Sequence, residues 1–150
     1  MQIVLREYID LNRIFFSNAT TKEEAIDELV KVSKDDGKVS DPDNFKKALL
    51  KRESIMSTGI GYGVAIPHVK LDYIPEFFIT IGINKKGIDW DSLDNKPVYL
   101  MFLIAGPDNQ QEKYLRILAK LTLVIKNPER RKKLVEAETK YDVLKIFEGF

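Results

Sequence analysis

The chain has a single histidine, His68, and the residues leading to it are of the kinds that handle phosphoryl groups. They read Ser57-Thr58-Gly59-Ile60-Gly61-Tyr62-Gly63-Val64-Ala65-Ile66-Pro67-His68. Imidazole is a nucleophile able to carry a group reversibly near neutral pH. The hydroxyls of Ser57 and Thr58, with glycines at Gly59, Gly61 and Gly63, suit a loop whose N–H groups approach an oxyanion. The plainer reading is a loop that uses glycine for positive φ and hydroxyls for capping. Arg52, just upstream, is either a solvated helix-end charge or a guanidinium that grips phosphate through two parallel hydrogen bonds. Rival chemistries fit poorly. With no cysteine and no second histidine, a usual metal-ligand set is missing. His68 would have to be the base of a serine triad, and no nucleophile-elbow sequence accompanies it. The glycine spacing misses the dinucleotide fingerprint by one residue, and no Gly-Lys-Ser/Thr follows for a P-loop.

The elements that must position these groups can be read from period and punctuation. Thr20 or Thr21, followed three residues on by Glu23 or Glu24, has the capping-box spacing. Ala25, Ile26, Leu29 and Val30 then repeat at helical period, and Gly37 is the expected left-handed end. Asp41-Pro42 opens a second helix with Phe45, Ala48 and Leu49 inward and Arg52 near its end. Val64 to Ile66 reads as a short strand. Pro67 disfavours helical geometry at Ile66, so His68 leaves an extended segment. Phe77–Ile83 and Val98–Ile104 read as strands buried on both faces, with Gly87–Asp91 and Asp94–Pro97 as turns between them. Gly106-Pro107-Asp108-Asn109 ends the second of these strands. A helix over Gln110–Lys126 would bury Tyr114, Leu115, Leu118, Leu121, Thr122 and Ile125. Asn127-Pro128 starts another helix, and Thr139 caps a last one ending near Phe147. Alternating helices and buried strands give an α/β class, a sheet covered by helices on both faces, in one domain over residues 1–150.

Composition narrows the function classes. A net charge of +1 argues against a general nucleic-acid binder. The run Arg130-Arg131-Lys132-Lys133 is read as a solvated helix face. No apolar run approaches the roughly 18 residues that span a bilayer. The N-terminus lacks the pattern of a signal peptide, so a cytoplasmic protein without direct membrane insertion is expected.

Arg52-Glu53 followed by Ser57-Thr58-Gly59-Ile60-Gly61-x-Gly63-x-Ala65-Ile66-Pro67-His68 resembles the signature of phosphotransferase-system enzyme IIA domains of the fructose/mannitol class, which includes nitrogen-regulatory enzyme IIA proteins. Thr21-Lys22-Glu23-Glu24-Ala25, Gly87-Ile88-Asp89-Trp90, Asn95-Lys96-Pro97-Val98 and Tyr114-Leu115-x-x-Leu118 extend the resemblance along the chain. It implies a mixed β-sheet with helices on both sides. It implies that His68 accepts a phosphoryl group from phosphohistidine on the carrier HPr and passes it to an enzyme IIB domain, while Arg52 neutralises the group. No nucleotide, metal or other cofactor is implied. Many members carry a second histidine on the long helix, aligned with Tyr114 here, and a phenol cannot take up a positive charge near neutral pH. Transfer between proteins asks for a shallow exposed site, for which Tyr62, Val64 and Val69 are the expected apolar rim.

Two functions follow from this resemblance: a phosphocarrier in sugar uptake, or a nitrogen-regulatory-type signalling protein whose phosphorylation state controls a regulatory partner. The chain's length without a fused permease segment speaks for the second. A scaffold that has lost phosphorylation is a third reading, supported by Tyr114 alone.

Overall fold

The computed structural model describes residues 2–150. Its first element after two short 3-10 turns is strand β1, Ile14–Phe16, which the sequence pattern does not reveal. Helix α1, Lys22–Asp35, begins at a complete capping box. The Thr21 side chain accepts from Glu24 N, and the Glu24 carboxylate accepts from Thr21 N. The chain leaves α1 through Gly37 at φ +75°, as the spacing predicts. Helix α2, Pro42–Ile55, is capped by Asp41, which accepts from Asn44 N at 3.2 Å, with proline in the first turn.

Three short strands come next: β2, Gly59–Gly61; β3, Val64–Ala65; and β4, His68–Lys70. The long pair follows, β5, Phe78–Ile88, and β6, Val98–Gly106. Both outrun the expected strands. Gly87 and Ile88, expected in a turn, belong to β5 beyond an irregularity between Ile83 and Ile88. The chain closes with α3, Gln111–Ile125, α4, Pro128–Glu136, and α5, Lys140–Ile146. Asn127 and Thr139 cap α4 and α5 as expected.

The strands form one mixed sheet in the order β1-β5-β6-β3-β2, with β4 also on β6. β1 runs parallel to β5, β5 antiparallel to β6, and β3 and β4 parallel to β6. Period-two alternation then divides the core. Leu100, Phe102 and Ile104 of β6 pack with Ile79, Ile81 and Ile83 beneath α3, α4 and α5. Met101, Leu103 and Ala105 point the other way, against Ala25, Leu29, Phe45 and Leu49 of α1 and α2. The sheet is therefore covered on both faces, the architecture expected from the alternating pattern.

Two features of the helices differ from expectation. The buried stripe of α3 is Tyr114, Ile117, Leu121, Val124 and Ile125, whereas Leu115 is 50% exposed and Thr122 faces outward. Apolar residues of α3 extend beyond one face, with Leu115 and Leu123 beside the stripe, so spacing alone does not fix which of them turn inward. Arg130 and Arg131 are not merely solvated. Their guanidiniums donate to the carbonyls of Leu123, Val124, Ile125 and Lys126 at the end of α3. Those carbonyls lack helical partners, and the negative end of the helix dipole favours cations there.

Phe102 is fully buried and packs edge-on against Phe147, with ring centroids 6.3 Å apart. Replacing it by alanine should lower the unfolding free energy by about 3–5 kcal/mol, read from urea titration followed by circular dichroism.

Candidate active site

β3 and β4 are one strand seen twice. Val64 pairs with Leu100, Ala65 with Met101 and His68 with Ile104, so the register against β6 is unbroken across Ile66-Pro67. Ile104 N donates to the Pro67 carbonyl at 3.0 Å. Ile66 faces the opposite edge, where its N–H donates to Thr58 O at 3.0 Å. β2 begins only at Gly59, so the next group on that edge, the Ile66 carbonyl, has no strand neighbour. His68 Nδ1 lies 3.1 Å from it.

That contact fixes the tautomer. A carbonyl can only accept, so Nδ1 carries the proton. On the other side of the ring, Arg52 Nε lies 3.3 Å from His68 Nε2. A guanidinium can only donate, so Nε2 presents its lone pair. The imidazole is thus neutral with a defined nucleophilic atom. Burial pushes the His68 pKa down, and the charges of Arg52 and Lys70 push it the same way, against the Ile66 hydrogen bond and the charge of Glu53.

Two helices reach the imidazole from opposite faces of the sheet. Arg52 comes from the last turn of α2, its Nη1 bonded to Met56 O at 2.8 Å. Tyr114 comes from the first turn of α3; its ring centroid is 5.5 Å from that of His68. Phe77 stacks on Tyr114 at 6.4 Å. Burial raises the Tyr114 pKa, opposed by Arg52, so the phenol is neutral at ordinary pH. The structure therefore brings Arg52, His68 and Tyr114 together.

The hydroxyl and glycine residues behave differently. The Thr58 hydroxyl donates to the Glu53 carboxylate, and its amide does so at 3.2 Å. Ser57 Oγ donates to Trp90 O and accepts from Gly59 N, both at 3.1 Å. A side chain at Gly59 would run into Ser92. Gly61 and Gly63 flank Tyr62 at the far turn, where all three have positive φ. That turn sits beside Tyr99 and Leu100, roughly 13 Å along the strand from His68 at about 3.3 Å per residue. The expected phosphoryl-binding loop is thus a hairpin whose hydroxyls are engaged with Glu53 and Trp90 and whose glycines meet packing and turn demands. The expected rim also differs. Val64 and Val69 are core residues, and Arg131 covers Tyr62 at the distant turn. Ile55 and Met56, 75% and 59% exposed, are the apolar residues that adjoin Arg52.

Behind the site lies a buried ionic cluster. Glu53 pairs with Lys22 at 2.5 Å, Lys22 sits over the Trp90 ring, and Trp90 Nε1 donates to Thr58 Oγ1 at 3.3 Å. Sequence reasoning did not assign Glu53 this role. The signal was present, since Glu53 continues the Phe45–Leu49 stripe of α2 at four-residue steps.

Residues 7–149 match the family described as the phosphoenolpyruvate-dependent sugar phosphotransferase system, EIIA 2. The chain belongs to that family. It is 41% identical over 125 residues to the fructose-specific EIIABC component of Bacillus subtilis (strain 168), a match covering 83% of this chain and 20% of that protein. The chain thus corresponds to about a fifth of the Bacillus protein. It is 40% identical over 123 residues to the fructose-specific EIIA component of Haloferax volcanii, covering 82% of this chain and 80% of that one. The crystal structure of nitrogen regulatory protein IIA-Ntr from Neisseria meningitidis superposes with a TM-score of 0.90 at 24% identity, covering 97% of this chain and 99% of the other. That likeness shows the EIIA fold. No helix among the described residues is long and apolar enough to cross a membrane.

As the chain's only histidine, His68 gives a single pair of imidazole C–H signals in proton NMR. Its titration midpoint should lie below the ordinary 6.5, and Arg52→Gln should move it upward. Because the folded imidazole is the weaker base, its contribution to stability is present above about pH 6.5 and is lost as pH falls through that value towards the folded midpoint.

Proposed function

We propose that this EIIA chain is a phosphocarrier: His68 takes a phosphoryl group from phosphohistidine on an HPr-like carrier and passes it to an enzyme IIB component of a sugar phosphotransferase system. The observation that carries the proposal is the forced tautomer, a neutral imidazole with its Nε2 lone pair facing a guanidinium. The Nε2 lone pair attacks phosphorus as the bond from phosphorus to the donor's ring nitrogen breaks, and that electron pair returns to the donor ring. His68 keeps its Nδ1 proton, so the phosphorylated ring is cationic and the Ile66 carbonyl steadies it. Arg52 gives up Nε2 and takes the phosphoryl oxygens, stabilising charge where it develops. The second transfer runs the same step with the roles exchanged, and no cofactor enters either.

The fructose-specific names of the two relatives at 40–41% identity support a fructose-type recipient. The exposed Ile55 and Met56 beside Arg52 suit a docking protein. A regulatory partner in place of enzyme IIB would use the same phosphorylation. The two are separated by whether phosphorylated protein loses its group to the IIB component or changes its affinity for a regulator.

Incubation with phosphoenolpyruvate, enzyme I and HPr should add one acid-labile phosphoryl group, read by intact-protein mass spectrometry. His68→Gln should add none. Arg52→Gln should slow uptake by about a hundredfold. Equal labelling of wild type and His68→Gln would overturn the proposal.

A further inference from the structure

We propose that Lys70 is a phosphoryl-binding residue: its ammonium, seated on the Tyr114 ring, supplies a second positive charge to the group carried on His68. The inference rests on the reading of His68 as phosphoryl acceptor. His68 and Lys70 are the first and third residues of β4, so both side chains leave the same face of the strand. That face looks towards α3. Lys70 Nζ lies 4.5 Å from the centroid of the Tyr114 ring, and the His68 ring lies 5.5 Å from the same centroid. One buried aromatic ring, itself braced by Phe77, therefore contacts both the ammonium and the imidazole. A ring face attracts a cation without neutralising it.

The electrostatics agree. Lys70 is among the charges that depress the His68 pKa, so its field already reaches the nucleophile. Lys22, Lys31 and Lys46 each pair with a carboxylate. Lys70 instead bonds the neutral Gln111 side-chain oxygen, and among the described residues it has no carboxylate partner. Tyr114 cannot contribute a positive charge. Arg52 and Lys70 are thus the fixed cations acting on His68, opposed by Glu53, whose charge Lys22 already shares. When the Nε2–P bond forms, the phosphoryl group brings about two negative charges to this spot. Lys70 exchanges the Gln111 amide for a phosphoryl oxygen, a stronger acceptor.

The test is the equilibrium constant for phosphoryl exchange between HPr and this protein, measured with Lys70→Gln and Lys70→Arg. Docking alters the rates in both directions but cancels from this constant, so the constant reads the stability of the phosphorylated site. Lys70→Gln should shift it towards phospho-HPr by about tenfold, and Lys70→Arg should stay within about twofold of wild type. Tyr114→Leu, which removes the seat, should give a loss similar to Lys70→Gln, and the double variant should lose little more. An unchanged constant in Lys70→Gln would overturn the inference. Wild-type protein that takes up no phosphoryl group would instead overturn the reading beneath it, a distinguishable result.

Discussion

The hydrogen bond between His68 Nδ1 and the Ile66 carbonyl is the contact on which the rest of the site depends. It exists because a strand offers its carbonyls to alternate edges. Pro67 is bonded to β6, Ile66 faces β2, and β2 starts too late to use the Ile66 carbonyl. An orphaned backbone acceptor is costly when left unpaired, and the imidazole two residues later satisfies it. The same bond orients the ring and turns Nε2 towards Arg52. A sheet irregularity is thereby converted into a defined nucleophile.

Around that bond, charge is arranged by depth. The carboxylate of Glu53 is buried, paired with Lys22 and bonded to Thr58, so it ties α1, α2 and the β2 hairpin into one unit. The cations that act on Nε2 are carried by side chains nearer the surface, Arg52 from α2 and Lys70 from β4. On the proposed reading, the buried carboxylate belongs to the scaffold, and the groups that would meet the phosphoryl oxygens sit on long side chains. A cavity of about 620 Å³ lined by Phe16, Asn84, Lys86 and Glu138 lies near the Ile83 end of β5. β5 runs antiparallel to β6, so this is the opposite end of the sheet from His68.

Much of this was legible in the chain. The capping-box spacing at Thr20 or Thr21, the cap at Thr139, the proline starts at Pro42 and Pro128, and the two strands buried on both faces all follow from local physics. Arg52 and His68 were legible from residue chemistry, and Tyr114 only through family resemblance. What escaped depends on long-range pairing. The three residues of β1 carry no period of their own and become a strand only beside Ile81–Ile83. The glycines read equally well as an anion loop or a hairpin until Ser92 and Tyr99 are placed against them. Lys70 carries no sequence signal, because nothing in its spacing says that Tyr114 will lie under its ammonium.

The most direct test of this account is the protonation of the two His68 ring nitrogens, read by long-range proton–nitrogen NMR of labelled protein above pH 7, before and after phosphorylation. The expected result is a proton on Nδ1 in the free protein and phosphorus on Nε2 afterwards, with Nδ1 still protonated. A free protein with its proton on Nε2, or phosphorus bonded to Nδ1, would contradict it.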